Sequence, residues 1–337
     1  KEVPEWNRVS IIEASPHDDA TAYLAINRFD LDDYKPYIYK TSDYGKTWKL
    51  ITKEIPEGAF VRVVREDPKR KGLLYTGTET GVYVSFTDGE NWQSLQLNLP
   101  VVPVHDMVVK EDDLVAATHG RSFWILDDLT PLQQLTDEVI SSEFYLFEPR
   151  DTYRIQGYSV AVNYSLKNRP LKEATLEFSD AKGNVIKTLK STKEEKERAV
   201  MPEMTFFRGR PAPKSIPAKA GMNRFVWDMR YPDAKGIKGR TYLFGGSIRG
   251  PVAVPGTYQV RLTVGGESMT QSFEIKKNPQ VPTNQEDFQE QFNLLIKIRD
   301  RLSETHDAVN QILELREKIE DALKDAKAQA GKEKSMT

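Results

Sequence analysis

The chain has 337 residues, of which 39% are hydrophobic and 10% aromatic, and its formal net charge is −2. These values are typical of a soluble globular protein of two or three domains, and they exclude the basic field that nucleic acid or an anionic membrane surface attracts. No apolar run approaches the ~20 residues of a transmembrane helix. The absence of cysteine excludes disulfides, thiolate metal sites and cysteine nucleophiles. Because the sequence starts KEVPEW, without a methionine or an export signal, we expect a processed product or a fragment.

Short alternating runs predict antiparallel meanders over the first third of the chain. VSIIEA, TAYLAINRF, PYIYKT and WKLIT follow one another over 9–52, separated by turn residues. The pattern recurs over 61–97 and 104–135, where PLQQL is the last predicted strand, and Trp48, Trp92 and Leu132 take the same place at spacings of 44 and 40 residues. Four strands in about 40–50 residues are typical of a β-propeller blade. Residues 1–135 are therefore predicted to form the C-terminal blades of a propeller.

A polar turn that ends in tryptophan occurs in two of these repeats, as TSDYGKTW and SFTDGENW. In the first, we expect Asp43 to accept backbone N–H groups, Gly45 to adopt a positive φ and Trp48 to fill the gap between neighbouring blades. The second copy departs from the first at Thr87 and Asn91. The positions assigned to this structural turn are Thr41, Asp43, Gly45, Thr47, Trp48, Ser85, Thr87, Gly89, Trp92 and, in the third repeat, Asp127.

Three blades cannot close a ring, since propellers have roughly four to eight. We therefore expect the missing N-terminal blades to lie upstream in the same precursor or in a partner chain. Without them, sheet edges and half of an interblade core would be exposed.

Alternating runs continue over 144–277 without the blade period. YSVAVNYSL, EATLEFSD, NVIKTLK, MNRFVWDM, GTYQVRLTV and MTQSFEIKK predict an immunoglobulin-like β-sandwich. Two long loops, 194–220 and 231–254, interrupt it and could cover a neighbouring domain or a ligand.

The last segment, 284–330, is predicted to be one long amphipathic α-helix. Asn284 is the expected N-cap, with two acidic residues in the first turn. Apolar residues recur at three-to-four spacing, which indicates a core face or a coiled-coil seam: Ile298, Leu302, Val309, Ile312, Ile319 and Leu323. Because this stripe exceeds what a small sandwich covers, we expect a partner helix along it, as half of a helical hairpin or coiled coil.

The turn motif matches Ser/Thr-x-Asp-x-Gly-x-Thr-Trp, the Asp box of BNR-repeat propellers. Together with ATHGRSFWILDDLTPLQQL, AGMNRFVWDMRYP and VPGTYQVRLTVGG, it resembles large exported bacterial BNR-repeat, sortilin-like proteins that are commonly labelled glycosyl hydrolases. The resemblance covers nearly the whole chain. It implies an N-terminal propeller part, a C-terminal immunoglobulin-like module, and an extracytoplasmic location in a Gram-negative bacterium such as one of the Bacteroidota. It implies no particular reaction, because the Asp box is a structural turn outside the catalytic centre.

Candidate chemistry concentrates in the loops that enter the innermost strands. His105, Asp106, His119 and Arg121 could serve acid/base work or bind a metal, although we expect them to form hydrogen bonds within the last blade. The acidic run DLDD offers calcium ligands in Asp30, Asp32 and Asp33, but a solvated loop is the expected alternative because the EF-hand glycine and glutamate are absent.

Two functions remain open. One is a non-catalytic binding or scaffold protein whose propeller recognises a peptide or glycan and whose helix docks a partner. The other is a glycoside hydrolase with Asp106 as one carboxylate and its site completed by upstream blades, since such enzymes need two carboxyl groups about 5–9.5 Å apart.

Overall fold

The computed structural model describes residues 3–192, 215–239 and 248–334, with side chains through Lys324. The chain is mainly β and consists of many small sheets. It divides into two compact units, Lys1–Ile140 and Ser141–Thr337.

Two four-stranded antiparallel meanders open the first unit. The first sheet contains β1 (Arg8–Ala14), β2 (Ala22–Arg28), β3 (Asp33–Thr41) and β4 (Lys49–Leu50), and a 3₁₀ helix spans Phe29–Leu31. The second sheet contains β5 (Val61–Glu66), β6 (Leu74–Thr78), β7 (Val82–Ser85) and β8 (Gln93–Ser94). In both sheets the strands lie in chain order, as the repeated strand pattern predicts.

The third sheet has three strands: β9 (Val104–Lys110), β10 (Asp113–Thr118) and β11 (Phe123–Leu126). The prediction of a fourth strand at PLQQL is wrong, because these residues belong to α1 (Thr130–Gln134), which is followed by α2 (Asp137–Ser141). Pro131 lies in the first turn of α1, where its fixed φ suits a helix and its missing N–H is not needed. Leu132 still packs against the core beneath the third sheet.

Apolar side chains join neighbouring sheets of the first unit. One core lies between the first and second sheets and includes Ala25, Ile38, Val61, Leu74 and Trp92. A second core joins the second and third sheets and includes Val63, Tyr75, Val104, Met107 and Leu114. The three sheets therefore pack in succession, each against the next.

The second unit contains a β-sandwich. Its smaller sheet has the order β12 (Phe144–Leu146), β14 (Val160–Leu166) and β18 (Gly221–Trp227). Its larger sheet has the order β13 (Thr152–Tyr153), β20 (Glu267–Lys276), β19 (Gly256–Val264), β15 (Thr175–Asp180), β16 (Val185–Ser191) and β17 (Ser215–Ile216). The two sheets share one core, in which Trp227 stacks on Phe178 at 4.7 Å between ring centroids. All six runs expected for this region contain a strand.

The long helix α3 extends over Gln285–Lys334. Asn284 caps it as expected: its Oδ1 accepts the Asp287 N–H at 2.8 Å, and its own N–H donates to the Asp287 carboxylate at 3.2 Å. No helix in the described part of the chain is long and apolar enough to cross a membrane. Most of the first predicted long loop (193–214) and the middle of the second (240–247) lie outside the described residues.

Candidate functional site

The first strands of the three sheets lie beside one another, with β5 in contact with both β1 and β9. Each of these strands has a bulge at its second or third residue, where the register with its neighbour shifts. The bulged residues are Ser10, Arg62 and His105. A bulge turns one extra side chain away from the regular alternation of the strand. The same device therefore recurs three times along one edge of the unit.

Each bulged side chain contacts a side chain at or just beyond the end of the next strand along the chain. These three contact residues occupy equivalent positions, because each meets the backbone two residues before a bulge. Asn27 pairs with Arg8. The Glu79 N–H donates to the Phe60 carbonyl at 3.0 Å, and the His119 N–H donates to the Pro103 carbonyl at 2.9 Å. We call this row of pairs the bulge edge. It consists of Ser10–Asn27, Arg62–Glu79 and His105–His119.

The three pairs differ in chemistry. Asn27 Nδ2 donates to Ser10 Oγ at 2.7 Å. Arg62 donates twice to Glu79 Oε2, from Nε at 2.9 Å and from Nη2 at 2.6 Å. The His105 and His119 rings meet edge to face, with centroids 4.9 Å apart and planes at 73°. Hydrogen bonds join the first two pairs, although the buried Asn27 Oδ1 has no partner, whereas the third is a contact between two imidazoles.

Aromatic rings support the middle of the bulge edge. Phe29 and Phe60 have ring centroids 5.4 Å apart. The Arg62 guanidinium lies over both rings, 4.9 Å from the Phe60 centroid and 6.0 Å from that of Phe29. Arg8 lies 5.9 Å from the Phe29 centroid. Such cation–π contacts hold both cations in place, and Nε and Nη2 of Arg62 donate at the same time to Glu79.

The structure brings two of the four predicted residues together. His105 contacts His119, and burial lowers the pKa of His105 from its usual value; the Arg62 and His119 charges lower it further, while Glu79 opposes them. His105 is therefore a neutral imidazole at neutral pH. Arg121 is exposed, and its carbonyl accepts the Trp124 indole N–H at 3.1 Å.

Asp106 belongs to a different group. Arg65, near the C-terminal end of β5, donates to Glu13 of β1 at 2.5 Å and to Asp106 of β9 at 2.9 Å. Its Nε also donates to the Met107 carbonyl at 2.6 Å. One guanidinium thus links the first strands of all three sheets, and it neutralises the carboxylate that the sequence nominated for catalysis.

The turn at TSDYGKTW is held by hydrogen bonds among its own residues. Thr41 Oγ1 accepts the Gly45 N–H at 2.9 Å, and Asp43 accepts the backbone and hydroxyl of Thr47 at 2.9 and 2.6 Å. These hydrogen bonds lower the pKa of Asp43 to about 2. Gly45 has the expected positive φ, +81°.

In the second and third repeats, different side chains form the hydrogen bonds of the equivalent turn. In the second, Thr87 Oγ1 takes the carboxylate's part and accepts the Asn91 N–H at 3.0 Å, while Ser85 Oγ accepts that of Gly89 at 2.9 Å. In the third, Asp127 is exposed, and the buried Asp128 accepts the Thr130 hydroxyl at 2.5 Å. The local carboxylate after β11 is therefore one residue later than the sequence alignment places it.

The two tryptophans have different surroundings. Trp92 is 3% exposed, and its indole N–H donates to the carbonyl of Ile51, at the end of the first sheet, at 2.6 Å. Trp48 is half-buried against its own sheet, and its N–H bonds within the turn to Gly45 at 3.1 Å. The interpretation of tryptophan as a link to the preceding sheet therefore describes Trp92, whereas Trp48 packs within the first sheet.

The acidic loop is partly used by its own neighbours. Asp33 accepts Arg28 and the Tyr37 hydroxyl, each at 2.9 Å. Asp32 ends the 3₁₀ helix in the left-handed conformation at φ 58°, and Asp30 is exposed. Among the described residues, the structure contains no group of three or more His, Asp or Glu side chains arranged to hold a metal ion.

Sequence reasoning missed Arg62, Glu79, Phe29, Phe60 and Arg65. A faint signal was present, since β1, β5 and β9 each contain a valine followed by a polar residue: Val9-Ser10, Val61-Arg62 and Val104-His105. Only the strand register shows that these polar residues are bulged and which side chain each one meets.

Comparison with known proteins gives weak likenesses only. No family model matches the chain, and no curated protein matches it. The similar solved structures include YCF48 bound to D1 peptide, at 16% identity over 57% of this chain and 57% of that one, with a TM-score of 0.29.

Two glycoside hydrolase structures are also similar. The GH74 enzyme of Niastella koreensis is 11% identical over 80% of this chain and 46% of its own, with a TM-score of 0.30. The GH74 xyloglucanase from Xanthomonas campestris is 11% identical over 79% of this chain and 38% of its own, with a TM-score of 0.28. The chain thus spans between about two fifths and three fifths of these structures' lengths. TM-scores near 0.3 decide neither a shared fold nor a shared activity.

Proposed function

We propose that the three sheets are consecutive blades of a β-propeller completed by further blades, and that the protein is a non-catalytic extracytoplasmic binding or scaffold protein of a Gram-negative bacterium. The bulge edge is the proposed site for a peptide or glycan ligand. The packing of the sheets supports the propeller, and the chemistry of the residues along their shared edge supports the binding site.

The surroundings of the two turn glycines differ, and this difference supports the proposal of further blades. A Cβ added to Gly89 would lie 2.4 Å from Ile51 Cδ1, so the second turn needs glycine to let the preceding sheet approach. At Gly45 the nearest atom to such a Cβ is the ring of Trp48, at 3.8 Å. An additional blade that offers an aliphatic side chain and a carbonyl to Trp48, as Ile51 does to Trp92, would complete the repeat.

The outer face of the third sheet supports the same proposal. Val108, Val115 and Ile125 lie opposite one another across its three strands, and Phe123 follows on the same face. Phe123 is 72% exposed and Ile125 58% exposed. A contiguous apolar sheet face of this kind is what the next blade of a propeller covers.

The state of the carboxylates favours binding over catalysis. Glu13 and Asp106 are both held by Arg65, and Glu79 is held by Arg62. A carboxylate that hydrolyses a glycoside must contact the scissile bond or the attacking water, whereas these carboxylates contact guanidinium groups of the neighbouring strands. The bulge edge meanwhile offers hydrogen-bonding cations on an aromatic support, a combination suited to recognising peptides or sugars.

The test is a screen of the full chain, and of any longer protein that contains it, against peptide and glycan arrays. Arg62→Gln should weaken binding of a retained ligand about tenfold or more. Lys49→Gln, at an exposed ion pair on β4 away from the bulge edge, is the matched control and should leave affinity unchanged. Equal affinity of the Arg62→Gln and wild-type proteins would overturn the assignment of the site.

A second candidate is a glycoside hydrolase whose site is completed by upstream blades. One observation favours it: the carboxylates of Glu13 on β1 and Asp106 on β9 both contact the Arg65 guanidinium of β5. Hydrolysis of β-glucan substrates by the longer protein, abolished by Asp106→Asn, would establish this function and refute the non-catalytic proposal. Activity of the Asp106→Asn protein equal to that of the wild type would remove Asp106 from the mechanism.

For α3 we propose a second amphipathic helix as partner, supplied by a further segment or subunit. The helix contacts the 235–238 segment through polar side chains, with Ser303 and Asn310 accepting the Lys235 and Lys238 N–H groups at 3.2 and 2.9 Å. The apolar residues Ile312, Leu315, Ile319 and Leu323 remain 53–67% exposed. Their three-to-four spacing suits helix pairing. Amide protection to Leu323 in a dilute monomer would exclude dependence on a partner, and protection that appears only on assembly would support it.

A further inference from the structure

The bulge edge repeats one arrangement three times, but hydrogen bonds join only two of the three pairs. Ser10 accepts a hydrogen bond from Asn27, and Arg62 forms an ion pair with Glu79. The equivalent His105 and His119 touch through their rings, and within the described part of the chain neither imidazole has a hydrogen-bonding partner. We propose that His105 and His119 together bind one divalent first-row transition-metal ion, of which Cu²⁺ and Zn²⁺ are the fitting examples.

The chemistry follows from the ligands. A neutral imidazole has one nitrogen lone pair, and imidazole nitrogen is a favoured ligand of Zn²⁺, Cu²⁺ and Ni²⁺. With ring centroids 4.9 Å apart, rotation of the two exposed side chains can turn one nitrogen of each toward a common ion. Zn–N bonds are about 2.0–2.1 Å, and an open site keeps its remaining positions for water or a ligand. The proposal needs only these two protein ligands.

The two elements that carry the histidines favour a fixed site. His105 occupies the bulge of β9, and the His119 N–H is anchored to the Pro103 carbonyl at 2.9 Å, directly before that strand. Both backbones are thus tied to one short segment. The side chains need to move only about their own bonds, so binding costs little ordering of the chain.

The neighbouring pair should tune the affinity. Both Arg62 and Glu79 act electrostatically on His105, with opposite signs. Removing the Arg62 charge by Arg62→Met would leave the Glu79 carboxylate free to attract the ion or to ligate it. Glu79→Gln would leave an uncompensated cation beside the ion. Metal affinity should rise in the first variant and fall in the second, each by several-fold.

The chain contains four histidines, which makes the test direct. His306 is 6% exposed and its Nδ1 contacts the Lys235 carbonyl at 2.5 Å, whereas His17 Nε2 contacts the Asp67 carbonyl at 2.8 Å. Calorimetric titration of the full chain with ZnCl₂ and with CuCl₂ should give one equivalent of ion, with Cu²⁺ bound more tightly than Zn²⁺. Mg²⁺ should not bind at this site, because it prefers oxygen ligands.

His105→Gln and His119→Gln should each weaken binding of Zn²⁺ about tenfold or more. His17→Gln is the control and should change the affinity less than twofold, with circular dichroism confirming that each variant is folded. Absence of Zn²⁺ and Cu²⁺ binding by the folded wild-type chain would overturn the proposal, as would unchanged binding in the double variant. The inference does not depend on peptide or glycan recognition, so a failed array screen leaves it standing.

Discussion

Replacing each Asp-box tryptophan by alanine compares the same residue in the same motif with and without a preceding sheet. Trp92 is 3% exposed and belongs to the core between the first and second sheets, together with Ile51 and Ile55. Trp48 occupies the equivalent place in the first sheet but is only half-buried. Trp92→Ala therefore empties a packed interface, whereas Trp48→Ala removes a partly solvated ring.

The magnitudes follow from burial. Truncating a buried tryptophan costs about 3–5 kcal/mol, from lost transfer free energy and the cavity left behind. Trp92→Ala also leaves the Ile51 carbonyl without the indole N–H that donates to it at 2.6 Å, which places the expected cost in the upper half of that range. For Trp48→Ala we expect about 1–2 kcal/mol, since the partly exposed ring loses less apolar burial than Trp92 and its indole N–H bonds only within its own turn.

Urea unfolding followed by circular dichroism gives the two free energies, and hydrogen exchange assigns the loss to a unit. Exchange should accelerate in β5–β8 of the Trp92→Ala chain and remain at the wild-type rate in the sandwich. Equal costs for the two substitutions in the isolated chain, or a cost below about 1.5 kcal/mol for Trp92→Ala, would refute the reasoning that Trp92 links two sheets.

Three further predictions test individual contacts. The pKa of Asp43 is about 2 in the folded chain against a usual 3.8, so this carboxylate contributes stability that is present above pH ~4 and is lost as the pH falls toward 2. In the Asp43→Asn chain the urea unfolding midpoint should therefore depend less on pH over that interval than in the wild type. Arg65→Met should cost about 1–2 kcal/mol because it removes the donor to Glu13 and to the Met107 carbonyl, while the largely exposed Asp106 stays solvated. Adding Glu13→Gln should restore part of this, as a double-mutant cycle would measure; a double variant no more stable than Arg65→Met would contradict the linkage. Asn284→Ala should cost about 1 kcal/mol and speed amide exchange in the first turn of α3, whereas Asn293→Ala, on the exposed helix surface, should not alter exchange there.

Features whose interacting residues lie close together in the chain could be predicted from the sequence. Alternating apolar residues located the sandwich strands, and Asn284 was identified as a cap because the N–H groups it satisfies lie within the next turn. The Asp-box turn was equally readable, since Thr41, Asp43 and Thr47 bond one another over seven residues.

Features that depend on contact with a neighbouring sheet could not be predicted from the sequence. Trp48 and Trp92 have the same local sequence context, yet their burial differs because only Trp92 has a sheet in front of it. PLQQL was assigned to a strand by its place in the repeat, but its leucines are three residues apart, and Pro131 and the buried Asp128 favour a helical turn. The contact of Arg62 with Glu79 depends on a one-residue register shift that residue periodicity cannot show.

The long helix shows the same division. Its apolar stripe was visible, but the residues that dock it on the 235–238 segment are polar, among them Ser303, His306 and Asn310. Their partners are mainly backbone groups distant in sequence. A pattern based on apolar spacing could therefore identify the helix but not the face by which it is held.

Sedimentation of the 337-residue chain over a range of concentrations, paired with binding of an apolar dye, tests the proposed ring most directly. The exposed outer face of the third sheet predicts dye binding and concentration-dependent association of the wild-type chain, both reduced by Ile125→Glu, whereas Leu171→Glu, at a fully exposed position between β14 and β15, is the control and should change neither. A monomer at every concentration that binds no dye would contradict the account, as would association that Ile125→Glu leaves unchanged.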